Sequence, residues 1–213
     1  MNTFSKLTLV LLSVSYQITA HAQIDVSSLV KVTKDNNPAC IEYYTYMSDL
    51  YCSTTAQTPS SKINPLIRTY ETQKIIFDDR VWQAAWGKKT DEINAVEYVP
   101  AGDDIDKWNE LITSQFFPGL QDKVTVSEFF NNFKKSMQES GFKPVYNIIE
   151  ETPDRILFEF RLDKPTNMQQ DELQVITKGK DGIYVLHYVI KKSDMGEQNR
   201  AKWINLLKQS KPI

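Results

Sequence analysis

Apolar and polar side chains alternate along most of the chain after residue 75, which is the period of a β-strand. The segment Asp106–Gly119 shows this pattern most fully. Trp108, Ile112 and Phe116 fall on one of its faces, and Leu111, Thr113 and Phe117 fall on the other. Because both faces carry large apolar side chains, the pattern predicts a strand within a sheet that is covered on both sides. Pro118 and Gly119 are expected to end it.

The same alternation predicts further strands at residues 75–78, 81–86, 93–99, 145–150, 155–162, 172–177 and 183–190. A four-residue turn, Glu151–Asp154, separates one neighbouring pair. Another pair is separated by the sequence KGKDG, in which Gly179 and Gly182 are available for a positive φ. These turns predict two antiparallel hairpins.

Two segments change to the helical period. Thr125 and Glu128 form a capping-box pattern, and Gly141 occupies the position expected just after a helix end. Between them, one helical face carries Phe129, Phe130, Phe133 and Met137. A second helix is expected from Ser193, with an apolar stripe of Ala201, Trp203, Ile204 and Leu207. Strands interrupted by helices predict an α+β fold, in which helices flank an antiparallel sheet.

Residues 1–22 have the pattern of a secretory signal peptide. Lys6 precedes an apolar run from Leu7 to Val14, and the triplet Ala20-His21-Ala22 follows. We expect cleavage before Gln23 and a secreted or periplasmic product; an N-terminal core helix is the alternative. The apolar run is shorter than the roughly 20 residues that a membrane helix needs. No integral membrane segment is therefore expected after cleavage.

The expected export bears on the state of the only two cysteines, Cys40 and Cys52. In an oxidising compartment a close pair is expected to form a disulfide, so the segment between them must double back. Their spacing is not that of a redox C-x-x-C motif. A polar stretch, STTAQTPSS, follows at residues 53–61. We interpret residues 23–61 as an appendage fixed by the disulfide and residues 62–213 as the main domain.

The charge balance excludes partners that need a basic face. The chain has 25 basic and 27 acidic side chains, with the signs mixed along it, so nucleic acid is not an expected partner. Familiar phosphate-binding, zinc-protease and serine-hydrolase motifs are absent. His187 is the only histidine after residue 22. It shares a strand face with Ile183, Val185 and Val189, which predicts a hydrogen-bonded core histidine.

Carboxylates are the remaining candidates for a catalytic or metal-binding site. Asp103, Asp104 and Asp106 could offer oxygen ligands to a metal, but the calcium-loop pattern is absent. We interpret them as weak metal candidates in a solvated loop, where Asp106 could cap the next element. Glu150 and Glu151 adjoin a turn and show no pattern of an acid/base pair. No cofactor is expected.

Aromatic side chains offer the candidate interaction surface. Trp82 and Trp86 are expected on one strand face with Ala84. Tyr43, Tyr44 and Tyr46 lie in the segment between the cysteines. Such side chains are common both in cores and at interfaces. Those that prove exposed are expected to bind a partner.

The order of elements in residues 75–209 resembles that of the PsbP-like α/β/α sandwich. The resemblance rests on the following features: Glu97–Pro100, Trp108 with Leu111–Phe117, the Phe-rich helix, Glu172-Leu173 ahead of Gly179, Tyr184–Tyr188, and Trp203 in a terminal helix. A photosystem extrinsic subunit, a Ran-binding import factor and many exported bacterial proteins share that fold. The resemblance implies a sandwich in residues 62–213 and a binding or assembly role.

These expectations together favour an exported, non-enzymatic protein that binds another protein of the bacterial envelope or of a host, such as a secreted effector of a Gram-negative bacterium. A carrier of a small ligand or lipid, with a cleft between sheet and helix, is the alternative. A carboxylate-based hydrolase is the third. A deep apolar pocket with one or two polar groups would favour the carrier. A flat exposed aromatic patch would favour protein binding.

Overall fold

The fold is known from a computed structural model, which describes residues 24–36, 38–56 and 63–213. Strands take up 41% of the described residues and helices 23%. The main feature is a ten-stranded antiparallel sheet accompanied by two α-helices. The α/β/α sandwich predicted from the sequence is therefore wrong, and the fold is β-rich. The physical reason is that the disulfide segment and the main domain join edge to edge and enlarge the sheet.

The strands and helices have the following bounds: β1 (Val30–Lys31), β2 (Glu42–Tyr46), β3 (Asp49–Ser53), β4 (Gln73–Lys74), β5 (Val81–Lys89), β6 (Asn94–Pro100), β7 (Glu110–Pro118), α1 (Val126–Glu139), β8 (Val145–Thr152), β9 (Arg155–Leu162), β10 (Gln170–Lys178), β11 (Gly182–Ile190), α2 (Glu197–Gln209) and β12 (Lys211–Pro212). The order across the large sheet is β1-β3-β2-β5-β6-β7-β11-β10-β9-β8. Strands β4 and β12 form a separate pair.

The two faces of the sheet are covered by different elements. On one face, Phe130 of α1 packs with Ile156, Phe158 and Ile176. On the other, Trp203 of α2 packs with Leu173 and Tyr188. The segment 63–77 adds Ile67, Ile75 and Phe77 to this second core. The expectation that β7 is covered on both faces is thus confirmed by the burial of both Leu111 and Ile112.

The first helix forms as its sequence predicts. Thr125 accepts a hydrogen bond from the main-chain N–H of Glu128, and Glu128 accepts one from Thr125 in return. Gly141 follows the helix with a φ of 82°. The second helix begins at Glu197 instead of Ser193. The main-chain N–H of Met195 donates to Asp171, and Gly196 has a φ of 81°, so the chain enters the helix only after these residues.

Two local predictions are wrong. Residues 75–78 lie outside any strand, although Ile75 and Phe77 are buried. Gly179 and Gly182 do not have a positive φ. A Cβ on Gly179 would lie 2.4 Å from the ring of Tyr184, and one on Gly182 would lie 2.3 Å from the ring of Phe116. These glycines are needed for space, because Phe116 and Tyr184 stack directly over the turn.

The Cys40–Cys52 disulfide is confirmed, with a Cα–Cα distance of 5.7 Å. The chain doubles back between β2 and β3 at Met47 and Ser48, both of which have a positive φ. Strand β2 then pairs with β5 through Thr45 and Tyr46. The predicted signal peptide lies outside the described residues. Within the residues described, no helix is long and apolar enough to span a membrane.

Candidate functional site: a cleft between the sheet and the first helix

A row of polar side chains crosses the face of the sheet beside α1. Register pairs Gln174 with His187, His187 with Thr113, and Thr113 with Glu97. Directly paired residues project from the same face of a sheet, so these four side chains lie side by side across β10, β11, β7 and β6. They lie next to the apolar residues that pack against α1.

His187 is held from both sides. Its Nδ1 lies 2.5 Å from Oε1 of Glu172, and its Nε2 lies 3.2 Å from Oε1 of Gln115. Because a carboxylate only accepts, Nδ1 carries a hydrogen. The exposed fraction of the His187 side chain is 16%, so the imidazole reaches solvent in the cleft.

Glu172 is itself fixed by two amides. Nε2 of Gln174 donates to it at 2.6 Å, and Nε2 of Gln170 donates at 3.2 Å. The carboxylate is buried, and hydrogen bonds to charged groups are stronger than neutral ones. The imidazole thus has a defined orientation.

The walls of the cleft are largely apolar. Phe129 and Phe133 of α1 form one wall, and Leu120 and Val124 extend it before the helix begins. Asn132 and Ser136 of the same helix are exposed at the rim. The cavity volume is about 420 Å³, which lies within the range of small-ligand pockets. The site combines an apolar wall with a polar floor.

Glu97 lies beyond Thr113 on the same face of the sheet, and neither of them lines the cavity. Burial raises the pKa of its carboxyl group, and the nearby charge of His187 acts in the opposite direction. Among the described residues it has no hydrogen bond or ion pair. Its register partner on the neighbouring strand β5 is Trp86, whose exposed fraction is 43%.

Cavities elsewhere include one of about 630 Å³ beside β4 and β12 and a smaller one of about 170 Å³ between β2 and β5. Glu71 borders it and accepts hydrogen bonds from Ser114 Oγ at 2.6 Å and from Tyr98 Oη at 2.9 Å. Main-chain N–H groups of Thr72 and Gln73 also donate to it. Burial raises the pKa of Glu71. This carboxylate is satisfied by the fold, so it has the character of a structural group.

The aromatic residues that were predicted to form an interaction surface do not lie together. Tyr44 and Trp82 have exposed fractions of 1% and 0%, so they belong to the interior. Tyr43 is partly buried below the guanidinium of Arg68, and Tyr46 packs edge-on against Tyr51.

Trp82 and Trp86 were expected on one strand face, and this is wrong. A bulge between Ala84 and Trp86 shifts the register of β5. Trp86 therefore pairs with Glu97 on the α1 side of the sheet. Trp82 packs with Trp203 on the α2 side.

In the acidic segment after Gly102, a carboxylate binds a main-chain N–H group. Asp104 accepts a hydrogen bond from the main-chain N–H of Asp106 and caps a short 3-10 helix, Ile105–Lys107. The expected capping residue was Asp106, and the structure assigns that role to Asp104. Asp103 precedes this helix, and Asp106 lies within it. Within the described ranges, no three His, Cys, Asp or Glu side chains are grouped to hold a metal ion.

Most of the cleft was not predicted from the sequence. His187 was singled out, but the groups around it were not predicted to form a site with it: Glu172, Gln174, Gln115, Glu97, Phe129 and Phe133. The available signal was polar residues on the apolar face of the strands DELQVI and IYVLHYVI. That signal becomes specific only when the register is known.

Comparison with known proteins adds one finding. A family model matches residues 71–211. The chain belongs to that family. The family is uncharacterised, and the PsbP-like resemblance stays a prediction. No curated protein matches the chain. The matched range contains every residue of the cleft described above and leaves the disulfide hairpin outside.

Proposed function

We propose that the protein is an exported carrier that binds a small, partly apolar ligand in the cleft between α1 and the sheet. The observation that carries this proposal is the preformed cavity of about 420 Å³, with Phe129 and Phe133 on its wall and His187 on its floor. A cavity with apolar walls and a few fixed polar groups suits a small molecule better than a protein surface.

The polar floor gives the ligand one orientation. Glu172 and Gln115 hold the imidazole of His187, so a hydrogen-bonding group of the ligand would meet His187 or the neighbouring amides. The apolar part would lie against α1, where burial of apolar area contributes about 25 cal/mol per Å². A rigid site of this kind avoids much of the ordering cost of binding.

The test uses a neutral fluorescent probe, N-phenyl-1-naphthylamine, titrated into protein that begins at Gln23. We expect saturable binding with one site. Ser136→Trp places a large ring at the rim of the cleft and should abolish binding. Ser127→Trp, an exposed position on the same helix outside the cleft, is the matched control and should bind as the parent does. Equal binding by both variants would remove the cleft as the site.

Export is the second part of the proposal. It is supported by the disulfide and by the signal-peptide pattern in the first 22 residues. Expression in a Gram-negative host followed by fractionation should give a periplasmic or extracellular product. Its intact mass should correspond to a chain that starts at Gln23 with one disulfide. A full-length, reduced product in the cytoplasm would contradict export.

Protein binding at the disulfide hairpin is a second candidate function. Ile41 and Leu66 have exposed fractions of 54% and 59%, and Tyr43 lies in the same region. Exposed apolar side chains of this kind favour a protein interface. Cross-linking of mature protein to envelope extract should give a stoichiometric partner that Ile41→Asp loses. A partner retained equally by Ile41→Asp would exclude this surface.

A further inference from the structure

Glu97 and His187 belong to one continuous floor. Thr113 is the register partner of both, so the two residues lie two strands apart on the same face. With strands about 4.8 Å apart, their Cα atoms are separated by roughly 10 Å. Thr113, which lies between them, is only partly buried. The polar floor therefore reaches from the cleft to Glu97.

The carboxylate of Glu97 forms no ion pair with any described residue, although His187 lies near enough for its charge to lower the pKa of Glu97. It is half-buried, and burial raises its pKa. Lys88 projects from the same face two positions along β5 from Trp86, but it is exposed and forms no ion pair with Glu97. A partly buried carboxylate without a cation is costly, and a cation beside it would reduce that cost.

Trp86 supplies a second group that favours a cation. It is the register partner of Glu97, and its side chain is among the most exposed large apolar groups of the described sheet. The face of an indole ring attracts ammonium groups, and more strongly the less water reaches the site. A carboxylate and an indole ring next to each other are a favourable setting for an organic ammonium group.

The charged residues around the cleft also favour a positively charged ligand. None of the described residues that line the cleft is a lysine or an arginine, and Glu97 lies on the same face of the sheet two strands from His187. A ligand carboxylate or phosphate at that end would meet the acidic side chain of Glu97. A positively charged head group would meet complementary charge, and its apolar part would contact Phe129 and Phe133.

We propose that the ligand is an amphipathic amine, with its ammonium group between Glu97 and Trp86 and its apolar part beneath α1. This inference rests on the proposed carrier function and deepens it. It assigns the head-group site to residues outside the apolar cavity and gives Glu97 a binding role.

The test compares three probes with the same eight-carbon chain and different head groups: octylammonium, octanol and octanoate. Isothermal titration with the mature, disulfide-bonded protein should rank octylammonium at least tenfold above octanol, with octanoate the weakest. Glu97→Gln should lower the affinity for octylammonium about tenfold and leave that for octanol unchanged. Glu92→Gln, an exposed acid in the loop between β5 and β6, is the matched control and should change neither.

The outcomes separate the two proposals. If none of the three probes binds, the carrier function and the amine assignment both fail. If octanol binds as tightly as octylammonium, the carrier function stands and the amine assignment is overturned. A preference for octylammonium that survives in both Glu97→Gln and Trp86→Leu would place the head group elsewhere and overturn the assignment. Thermal melts of each variant establish that losses of affinity come from folded protein.

Discussion

The ring of Trp203 in α2 lies nearly parallel to the ring of Tyr188 in β11, with the two centroids 3.9 Å apart. Trp203 also meets Trp82 edge-on, at 5.7 Å. All three side chains have exposed fractions of 1% or less. This aromatic stack fixes α2 on the sheet.

Removing the Trp203 ring should therefore destabilise the whole protein. We expect Trp203→Ala to lower the free energy of unfolding by about 3–5 kcal/mol, because it leaves a large cavity. Among the described residues, Nε1 of Trp203 has no hydrogen-bond partner, so Trp203→Phe should cost clearly less. Urea denaturation measures both. Trp86→Ala, at an exposed position, is the control and should change stability by under about 1 kcal/mol.

The turn between β10 and β11 should not accept a side chain at Gly182. A Cβ there would lie 2.3 Å from the ring of Phe116 and 2.5 Å from the main-chain oxygen of Phe117. We expect Gly182→Ala to cost about 1–3 kcal/mol, as overpacking does. Lys180→Ala in the same turn is exposed and should be nearly neutral. A Gly182→Ala protein as stable as the parent would show that the stacked rings can move aside.

Stability should depend on pH through Asp171. Burial, together with the adjacent Glu159, raises the pKa of Asp171 to about 6, although the Met195 N–H and Arg200 act in the opposite direction. Oδ1 of Asp171 has no hydrogen-bond partner in the described chain, and a proton on the carboxyl group would let Asp171 donate to Glu159.

The folded-state pKa is higher than the unfolded value of 3.8. The contribution of Asp171 to stability is thus fully present below pH 3.8 and is lost as the pH rises through 6. Asp171→Asn does not titrate. We expect the unfolding free energy of the parent minus that of the variant to fall by roughly 1–3 kcal/mol over this range, since one pKa unit corresponds to about 1.4 kcal/mol. Denaturation of both proteins at pH 4, 5, 6 and 7 checks this; a flat or rising difference would contradict it.

The disulfide should stabilise the hairpin that it closes. In the chain-entropy model, a bridge across 12 residues contributes about 3 kcal/mol. The double variant Cys40→Ser/Cys52→Ser should lose about that much, measured by urea denaturation. A reducing agent should destabilise the parent to the same level and leave the variant unchanged. If reduction leaves the parent unaffected, the bridge contributes little.

Local signals in the sequence sufficed for some elements and failed for others. Thr125 and Glu128 predict the start of α1, because both partners of the capping box lie within one turn. The size of the sheet could not be predicted, since the contact of Tyr46 with Val81 joins distant segments. The strand period failed at Ala84 and Trp86 because a bulge inserts one residue. A bulge leaves no fixed sequence pattern.

The cleft shows the same limit. The strand pattern around His187 predicts a hydrogen-bonded core histidine. Its partners Glu172 and Gln115 lie 15 and 72 residues away along the chain. Only the pairing of β11 with β10 on one side and β7 on the other brings them together. A sequence of one protein identifies the residue types but not this register.

The seam between β2 and β5 consists of two residue pairs, Thr45 with Trp82 and Tyr46 with Val81, whereas β11 pairs with β7 along nine positions. The ten strands are therefore not expected to unfold as a single cooperative unit. The disulfide hairpin is attached by a short ladder and a small apolar cluster around Tyr44. Such a unit can detach while the rest stays folded. Amide hydrogens of β2 and β3 should exchange with solvent through this partial opening, long before those of β10 and β11, which require global unfolding.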